Sequence, residues 1–586
     1  MCPIAFLSVR LELVSFIEEM ESRAMESDHE IKNENRHEEA PENGLKGLKH
    51  WRQDMFAGFI IALVSVPLSL GIALASGAPP ICGITSEIIA GLIFPILGGA
   101  YVTVSGPAAG LAPVLFSSIT ALGHGNMDVG YRLVLGVIMF AGLTQLVLTY
   151  FKAAKFSYLF PKSAIHGMLA AIGLLIIAKQ IPNFIGHKYH AHEFFSIIFE
   201  TPSHILHLNP YVLAISSICL ALLFILPKVR IPLVRHVPPH LIVVLVGIAL
   251  GQLFHLAPSC LVEIPANPLE HGLVFPDFSG LFKDMTLVPT IVLSVLALTF
   301  VDGCESLATI HAVDQIDPYK RKSDPHRTLF AMGVSNICSS LIGGLTIIPG
   351  IIKSTTCIVA GGRTAWANFY NAIFLITFLL LFNNLISLIP IAALSAVLVH
   401  IGYKLAGPHK WQQVAAFGME QMAVFATTVL VTVCSDLLIG IASGILVKVG
   451  ILLFYALKCD CRRSHDPLQF LRNALDCLVS LFKSPVAAVS NDGEAGEVIF
   501  DGPITCFNNL NVRATIDPLL KSCKTVKLVL SPEVGIVDHS STSYLMLLEK
   551  DSGVNGLAKV SVEGLEQLCC RTSDSQSLHY RVSTAV

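Results

Sequence analysis

Between Met55 and Leu457 the chain carries only 34 Asp, Glu, Lys or Arg in 403 positions. A soluble protein holds roughly 25% of these residues. A stretch this long and this poor in charge has no polar surface to offer water, so it must be a series of membrane spans. The remaining charge sits at the two ends. Residues 1–54 hold 12 acidic and 7 basic groups, and residues 458–586 hold 28 charged residues. This divides the chain into a disordered acidic tail over 1–54, a membrane domain over 55–457, a linker over 458–491 and a soluble domain over 492–586. An ordinary soluble enzyme, a disordered chain and a basic nucleic-acid binder are excluded, and a net charge of -3 gives no pull on a polyanion. Met1–Phe16 shows no basic start followed by a small-residue cleavage site, and Met20 and Met25 are alternative starts.

Apolar stretches fall at 55–76, 81–99, 106–121, 131–150, 164–180, 210–226, 237–256, 286–308, 328–344, 351–361, 366–383, 387–404, 420–433 and 436–456. Basic residues test this count. With the N-terminus inside, the inner loops carry Lys152, Lys155 and Lys162; Lys228, Arg230 and Arg235; Lys320, Arg321, Lys322 and Arg327; Lys404 and Lys410; Arg462 and Arg463. The outer loops carry chiefly Lys188 and Lys283. The alternation predicts fourteen segments, both termini cytoplasmic, in the plasma (inner) membrane.

Two segments are too short to span comfortably. Val104-Ser-Gly-Pro-Ala-Ala-Gly-Leu-Ala-Pro113 opens one, and Gly343-Gly-Leu-Thr-Ile-Ile-Pro-Gly-Ile-Ile-Lys-Ser-Thr-Thr356 opens the other. Each is the third apolar segment of its half. Gly/Pro-broken segments at matching places point to a transporter built from repeats. Seven segments per half make the repeats inverted, with two half-helices aiming their N-termini at each other. Free N–H groups and positive dipole ends there suit an anion. The competing reading is a pair of Pro-kinked core helices.

Charges inside the membrane each need an account. In Thr299-Phe-Val-Asp-Gly-Cys-Glu-Ser-Leu-Ala-Thr309, helical spacing lets Asp302, Glu305 and Thr309 share a face and bind a coupling cation or carry a proton. Alternatively, Asp302 caps a neighbouring backbone group. Lys353 opens the second half-helix and would neutralise a bound anion, or else snorkels to the interface. Glu87 reads as interfacial, without a role. Asp436 and Lys448 read as end-of-helix residues.

These motifs resemble the SulP family of sulfate permeases and anion exchangers. The likeness runs through Pro67-Leu-Ser-Leu-Gly-Ile-Ala73, Val104-Ser-Gly-Pro-Ala-Ala109, Gly167-Met-Leu-Ala-Ala-Ile-Gly173, Glu305-Ser-Leu, Gly343 to Ser354 and Ala360-Gly-Gly-Arg-Thr364. It implies an α-helical polytopic membrane protein of fourteen transmembrane segments in 7+7 inverted repeats, with core and gate domains and half-helices 3 and 10. It implies a homodimer. Carried over by position, the substrate site is Ser69, Ile72, Gly106, Pro107, Ala108, Ala109, Lys353, Ser354 and Thr355, and the coupling-ion site is Glu305, Thr309 and Asp302. Sodium-coupled members resemble this chain but carry Asp at the Glu305 position. His326-Arg-Thr-Leu329 and Pro349 also depart from the family pattern.

Beyond the linker, Glu497–Phe500, Val526–Leu530 and Ala558–Val562 read as strands, and Leu510–Cys523 and Thr542–Lys550 as helices. This small cytosolic α/β unit resembles a STAS domain. The resemblance implies regulation at Asp538 and Ser540 and contact with a cytosolic partner; the alternative is a plain helix N-cap. The fifteen cysteines are scattered and form no disulfide framework. Cys459-Asp-Cys461 alone is weak metal evidence, so no metal site is assigned.

The expectation is a secondary active transporter of a small inorganic anion, sulfate or bicarbonate, and not an enzyme: no catalytic residue is assigned. No cofactor is expected beyond Na⁺ or H⁺ as coupling ion. Absence of a Walker A pattern disfavours an ATP-driven pump. A channel-like conductor of the same fold, or a transporter-like sensor, are the rival readings.

Overall fold

The structure is a computed structural model. It describes residues 40–187, 189, 194–204, 208–228, 238–265, 272–283, 285–459, 467–550, 558–570, 572 and 574–581. Residues 1–39, Lys188, Arg230, Arg235, Cys461, Arg462 and Arg463 lie outside the described residues, and with them part of the loop-charge argument.

All fourteen apolar stretches are helices: α1 Trp51–Ala75, α2 Ile81–Leu97, α3 Ala112–Leu122, α4 Met127–Tyr150, α5 Lys162–Ile185, α6 Pro210–Ile225, α7 Pro239–Leu253, α8 Val288–Ile316, α9 Pro325–Leu341, α10 Ile351–Val359, α11 Trp366–Leu381, α12 Ile391–Ala406, α13 Met419–Cys434 and α14 Leu437–Cys459. Among the described residues, eight helical stretches are long and apolar enough to cross a membrane. Local chemistry starts several of them. Asn126 and Asn209 each accept two backbone N–H bonds at the heads of α4 and α6, and Asp324 does the same for α9.

The helices sort into two bundles. One holds α1–α4 and α8–α11; the other holds α5–α7 and α12–α14. The packing repeats with the halves exchanged: α4 lies on α9 as α11 lies on α2. On the pseudo-twofold itself, α5 crosses α12 at two glycines. A Cβ on Gly173 would stand 2.6 Å from the Gly402 carbonyl oxygen, and one on Gly402 would stand 2.7 Å from that of Gly173. No side chain fits between the two backbones.

Each half-helix is led in by a short strand, β1 Ser105–Pro107 before α3 and β2 Ile347–Pro349 before α10. The strands pair antiparallel, Ser105 with Pro349, Gly106 with Ile348 and Pro107 with Ile347. Extended backbone at membrane depth is tolerated because it is buried in protein, and all six residues are buried.

The stretch read as a tail and the stretch read as a linker both need correcting. Gly44–His50 is a 3-10 helix, and Asp54 is fully buried, accepting bonds from Arg363 N at 2.7 Å and Thr364 N at 3.0 Å. The ordered chain therefore begins before residue 55. Within 458–491 lie α15 Pro467–Phe482 and β3 Val486–Asn491. β3 joins a four-stranded sheet in the order β3-β4-β5-β7, with β4 Ala495–Phe500, β5 Thr525–Leu530 and β7 Lys559–Glu563. β4, β5 and β7 run parallel, linked through α16 Asn509–Ser522 and α17 His539–Lys550. The buried alternation of β4 and β5 (Val498, Phe500, Val526, Leu528, Leu530) meets Val512, Ile516 and Leu545 from those helices. A second small sheet joins β6 Ile536–Val537, β9 His579–Tyr580 and β8 Cys569–Cys570 in the order β6-β9-β8. All twelve cysteines among the described residues whose state is defined are free; Cys434, Cys569 and Cys570 are exposed.

Candidate functional site

The two half-helices meet where β1 and β2 pair, and there the structure places an ion pair. Lys353 Nζ lies 2.6 Å from Glu87 Oε2, with side-chain exposures of 3% and 0%. Glu87 is therefore not interfacial, as the sequence suggested, and Lys353 does not snorkel. The Glu87 carboxylate also accepts from Ser65 Oγ at 2.7 Å, from Ser69 Oγ, and from Asn371 Nδ2 at 3.2 Å. Ser69, assigned to substrate, thus spends its hydroxyl on Glu87. Gly106 is small because the pair fills its side-chain space: a Cβ there would meet Lys353 Nζ and stand 2.8 Å from Glu87 Oε2.

Ser354 ties the half-helix down, accepting from Val104 N at 2.9 Å and donating to Gly350 O at 2.6 Å. Pro107 lies in the ladder, and Ala108 N continues it to Thr346 O at 3.2 Å. Ile72 is buried apolar core, and Ala109 is half-buried beside the same core. Thr355 departs from its assigned role. It lies on the exposed face of α10, and its hydroxyl donates to Ile351 O at 2.8 Å.

The expected coupling trio is split. Asp302 Oδ2 accepts from Gln145 Nε2 and from Asn336 Nδ2, the latter at 2.9 Å. Asn336 Oδ1 in turn accepts from Ile347 N at 2.7 Å. Asp302 is thus no backbone cap; it anchors α4, α9 and β2 to α8. Glu305 turns to the other half-helix. Its Oε2 has no hydrogen-bond partner and fills the space beside Gly110, just ahead of α3. Thr309 is half-buried on the same helix. Among the described residues no three His, Cys, Asp or Glu side chains cluster as a metal would require.

A second buried charge pair links the helices to the α/β unit. Lys448 lies in mid-α14, 1% exposed, 3.4 Å from Asp538 Oδ2. It is not an end-of-helix residue; Asp436 does head α14, its carboxylate accepting from Leu437 N. Asp538 also caps α17, accepting from Ser541 N at 2.8 Å. Burial pushes the Asp538 carboxyl up, but Lys448 and the Ser541 donors outweigh it and hold it below the ordinary Asp value. Burial pushes the neighbouring His539 down to about 4, and its ring lies tilted against Phe417 at 4.4 Å between centroids. Ser540 is buried against the head of α5, accepting from Lys162 N at 3.2 Å.

The sequence pattern of the sulfate permease family matches residues 51–428, from α1 into α13. The chain belongs to this family. Among curated family relatives, a Bacillus subtilis protein provisionally named sulfate transporter YvdB is 26% identical over 530 residues, covering 89% of this chain and 92% of that one. The bicarbonate transporter BicA of a Picosynechococcus strain is 23% identical over 404 residues, 68% of this chain and 69% of that one. Among solved structures, the transmembrane domain of a cyanobacterial BicA aligns with a TM-score of 0.59 at 20% identity, covering 68% of this chain and 98% of that one. SLC26A9 aligns with a TM-score of 0.59 at 16% identity, covering 88% and 84%. These structural likenesses speak to the fold the family shares.

Sequence reasoning passed over Glu87 and Lys448. The available signal was that each is a single charge deep in an otherwise apolar helix.

Proposed function

We propose that the protein is a secondary active transporter of a small inorganic anion, sulfate or bicarbonate, and not an enzyme. The observation that carries this reading is Lys353, buried where two opposed half-helix N-termini converge. The first N–H groups of α3 and α10 have no intrahelical acceptor, and with the lysine they give a dry, positive focus for an anion. The α1–α4/α8–α11 bundle would be the core, moving against the other bundle as gate, so that the focus opens to each side in turn. Glu305, its Oε2 unpartnered beside the first half-helix, would take the coupling cation, H⁺ or Na⁺, with Thr309 in support. The family relationship and the likeness of the cytosolic unit to a STAS domain support placing both termini in the cytoplasm of a plasma-membrane homodimer.

The test is uptake of labelled sulfate and bicarbonate into proteoliposomes under separate Na⁺ and H⁺ gradients. Lys353→Ala should raise KM tenfold or more, a loss of about 1.4 kcal/mol of binding; wild-type kinetics in that variant would remove the lysine from the site. Glu305→Gln should abolish gradient-driven uptake, and unchanged accumulation would rule Glu305 out as the coupling group.

A further inference from the structure

The four donors around the Glu87 carboxylate (two serine hydroxyls, one amide and one ammonium) are the shell that a small oxyanion needs. We propose that Glu87 is a tethered counter-anion in the transport site, and that an incoming anion takes Lys353 only after a proton has taken Glu87. This rests on the transporter reading above and adds a residue and a proton to it.

Three observations converge. Lys353 Nζ is held by the Glu87 carboxylate at 2.6 Å, so an anion that uses the lysine must displace that carboxylate. Displacing it as an ion would leave a buried carboxylate without its counter-charge, whereas displacing it as a neutral acid would not. An acceptor for the acid's proton is already present: Asn371 donates to Glu87 through Nδ2, while its buried Oδ1 has no partner. Half a turn of that amide presents Oδ1 to a Glu87 hydroxyl.

Other ionisable groups on the elements packed against α2 are remote from Glu87 or committed elsewhere. On α1, Asp54 is bonded to Arg363 and Thr364, and Arg52 sits in the first turn. His326 and Arg327 lie in the first turn of α9. α11 contributes only Tyr370, which packs by Gly58 near the start of α1. The two short strands carry none. Glu305 stands beyond β1, against Gly110. Lys353 is the charge that Glu87 answers to.

The step balances simply. One proton moves from solution to a Glu87 oxygen, one anion enters the Lys353 shell, and both leave on the other side. The test is sulfate uptake at a series of external pH values, because sulfate keeps its charge near neutrality; if bicarbonate alone is carried, the series is run at fixed bicarbonate concentration. In the wild type KM should rise with pH, at its steepest about tenfold per pH unit, and level off at acidic pH. In Glu87→Gln that dependence should be lost, with KM at the wild-type acidic value and one proton fewer entering beside each anion on an internal pH dye. A Glu87→Gln protein that keeps the wild-type slope would overturn the proposal. Should that variant not fold, Ser65→Ala serves: losing one donor to the carboxylate should move the midpoint to higher pH, and an unmoved midpoint counts against the idea. Absence of any anion uptake by the wild type would instead sink the transporter reading itself.

Discussion

Asn336 bonds three groups at once: Gln145 and Asp302 through Nδ2, and the Ile347 N–H through Oδ1. Asn336→Leu would leave a buried N–H unsatisfied and strip a donor from a buried carboxylate. It should cost about 3 kcal/mol or more, read as a lower melting temperature of the purified protein. Thr355→Ala, exposed and bonded only to its own helix, should stay within about 0.5 kcal/mol of wild type. Gly106→Ala should abolish anion uptake, since its Cβ lands on the Lys353–Glu87 pair; the α/β unit should keep its own fold by circular dichroism. Lys353 stood out as the lone charge in a Gly/Pro-broken segment, and Glu305 as one of two acids in an apolar helix. Glu87 carried the same kind of signal, a lone charge in an apolar helix, but its pairing with Lys353 was not legible, because the two are 266 residues apart and no local pattern encodes a meeting that distant.

At the scale of elements, the fourteen segments were legible from apolar length and loop charge, and both half-helices from their Gly/Pro entries. The strand inside 458–491 was missed for a physical reason. β3 is an edge strand with nearly every residue exposed, so it shows no inside–outside alternation to read. The α5–α12 crossing makes a prediction of its own. Gly173→Ala or Gly402→Ala would force two backbones apart by the width of a methyl group, which should cost about 1–3 kcal/mol. Both variants should melt earlier, and to similar extents, because the two positions are equivalent under exchange of the halves.

Over the whole molecule, α14 runs from the helical bundle into the α/β unit. Leu452 and Tyr455 pack with Leu481, Ile536 and Leu578, and Lys448 pairs with Asp538. Lys448→Met would strand the Asp538 charge and should loosen this junction by about 3–5 kcal/mol; faster proteolytic separation of the α/β unit from the helical bundle would report it. Asp538 is held below its ordinary value, so its contribution is complete at neutral pH and lost only as pH falls through that lowered value. His539 works in the other range. Buried and neutral in the docked state, it binds fewer protons there than when released, so docking should weaken as pH drops from about 6.5 towards about 4. Protection from protease should follow that curve, and His539→Phe should flatten it.

The β1–β2 ladder also has a consequence in time. Ser105 and Pro349 are neighbours in the ladder but about 240 residues apart along the chain. A ribosome adding 5–20 residues per second leaves roughly 12–50 s between their emergence. Throughout that interval the first strand lies at membrane depth with its backbone donors unmatched, a state lipid does not tolerate. The nascent first half therefore needs a chaperoning surface until its counterpart arrives, and the protein becomes one molecule only when its second half is made.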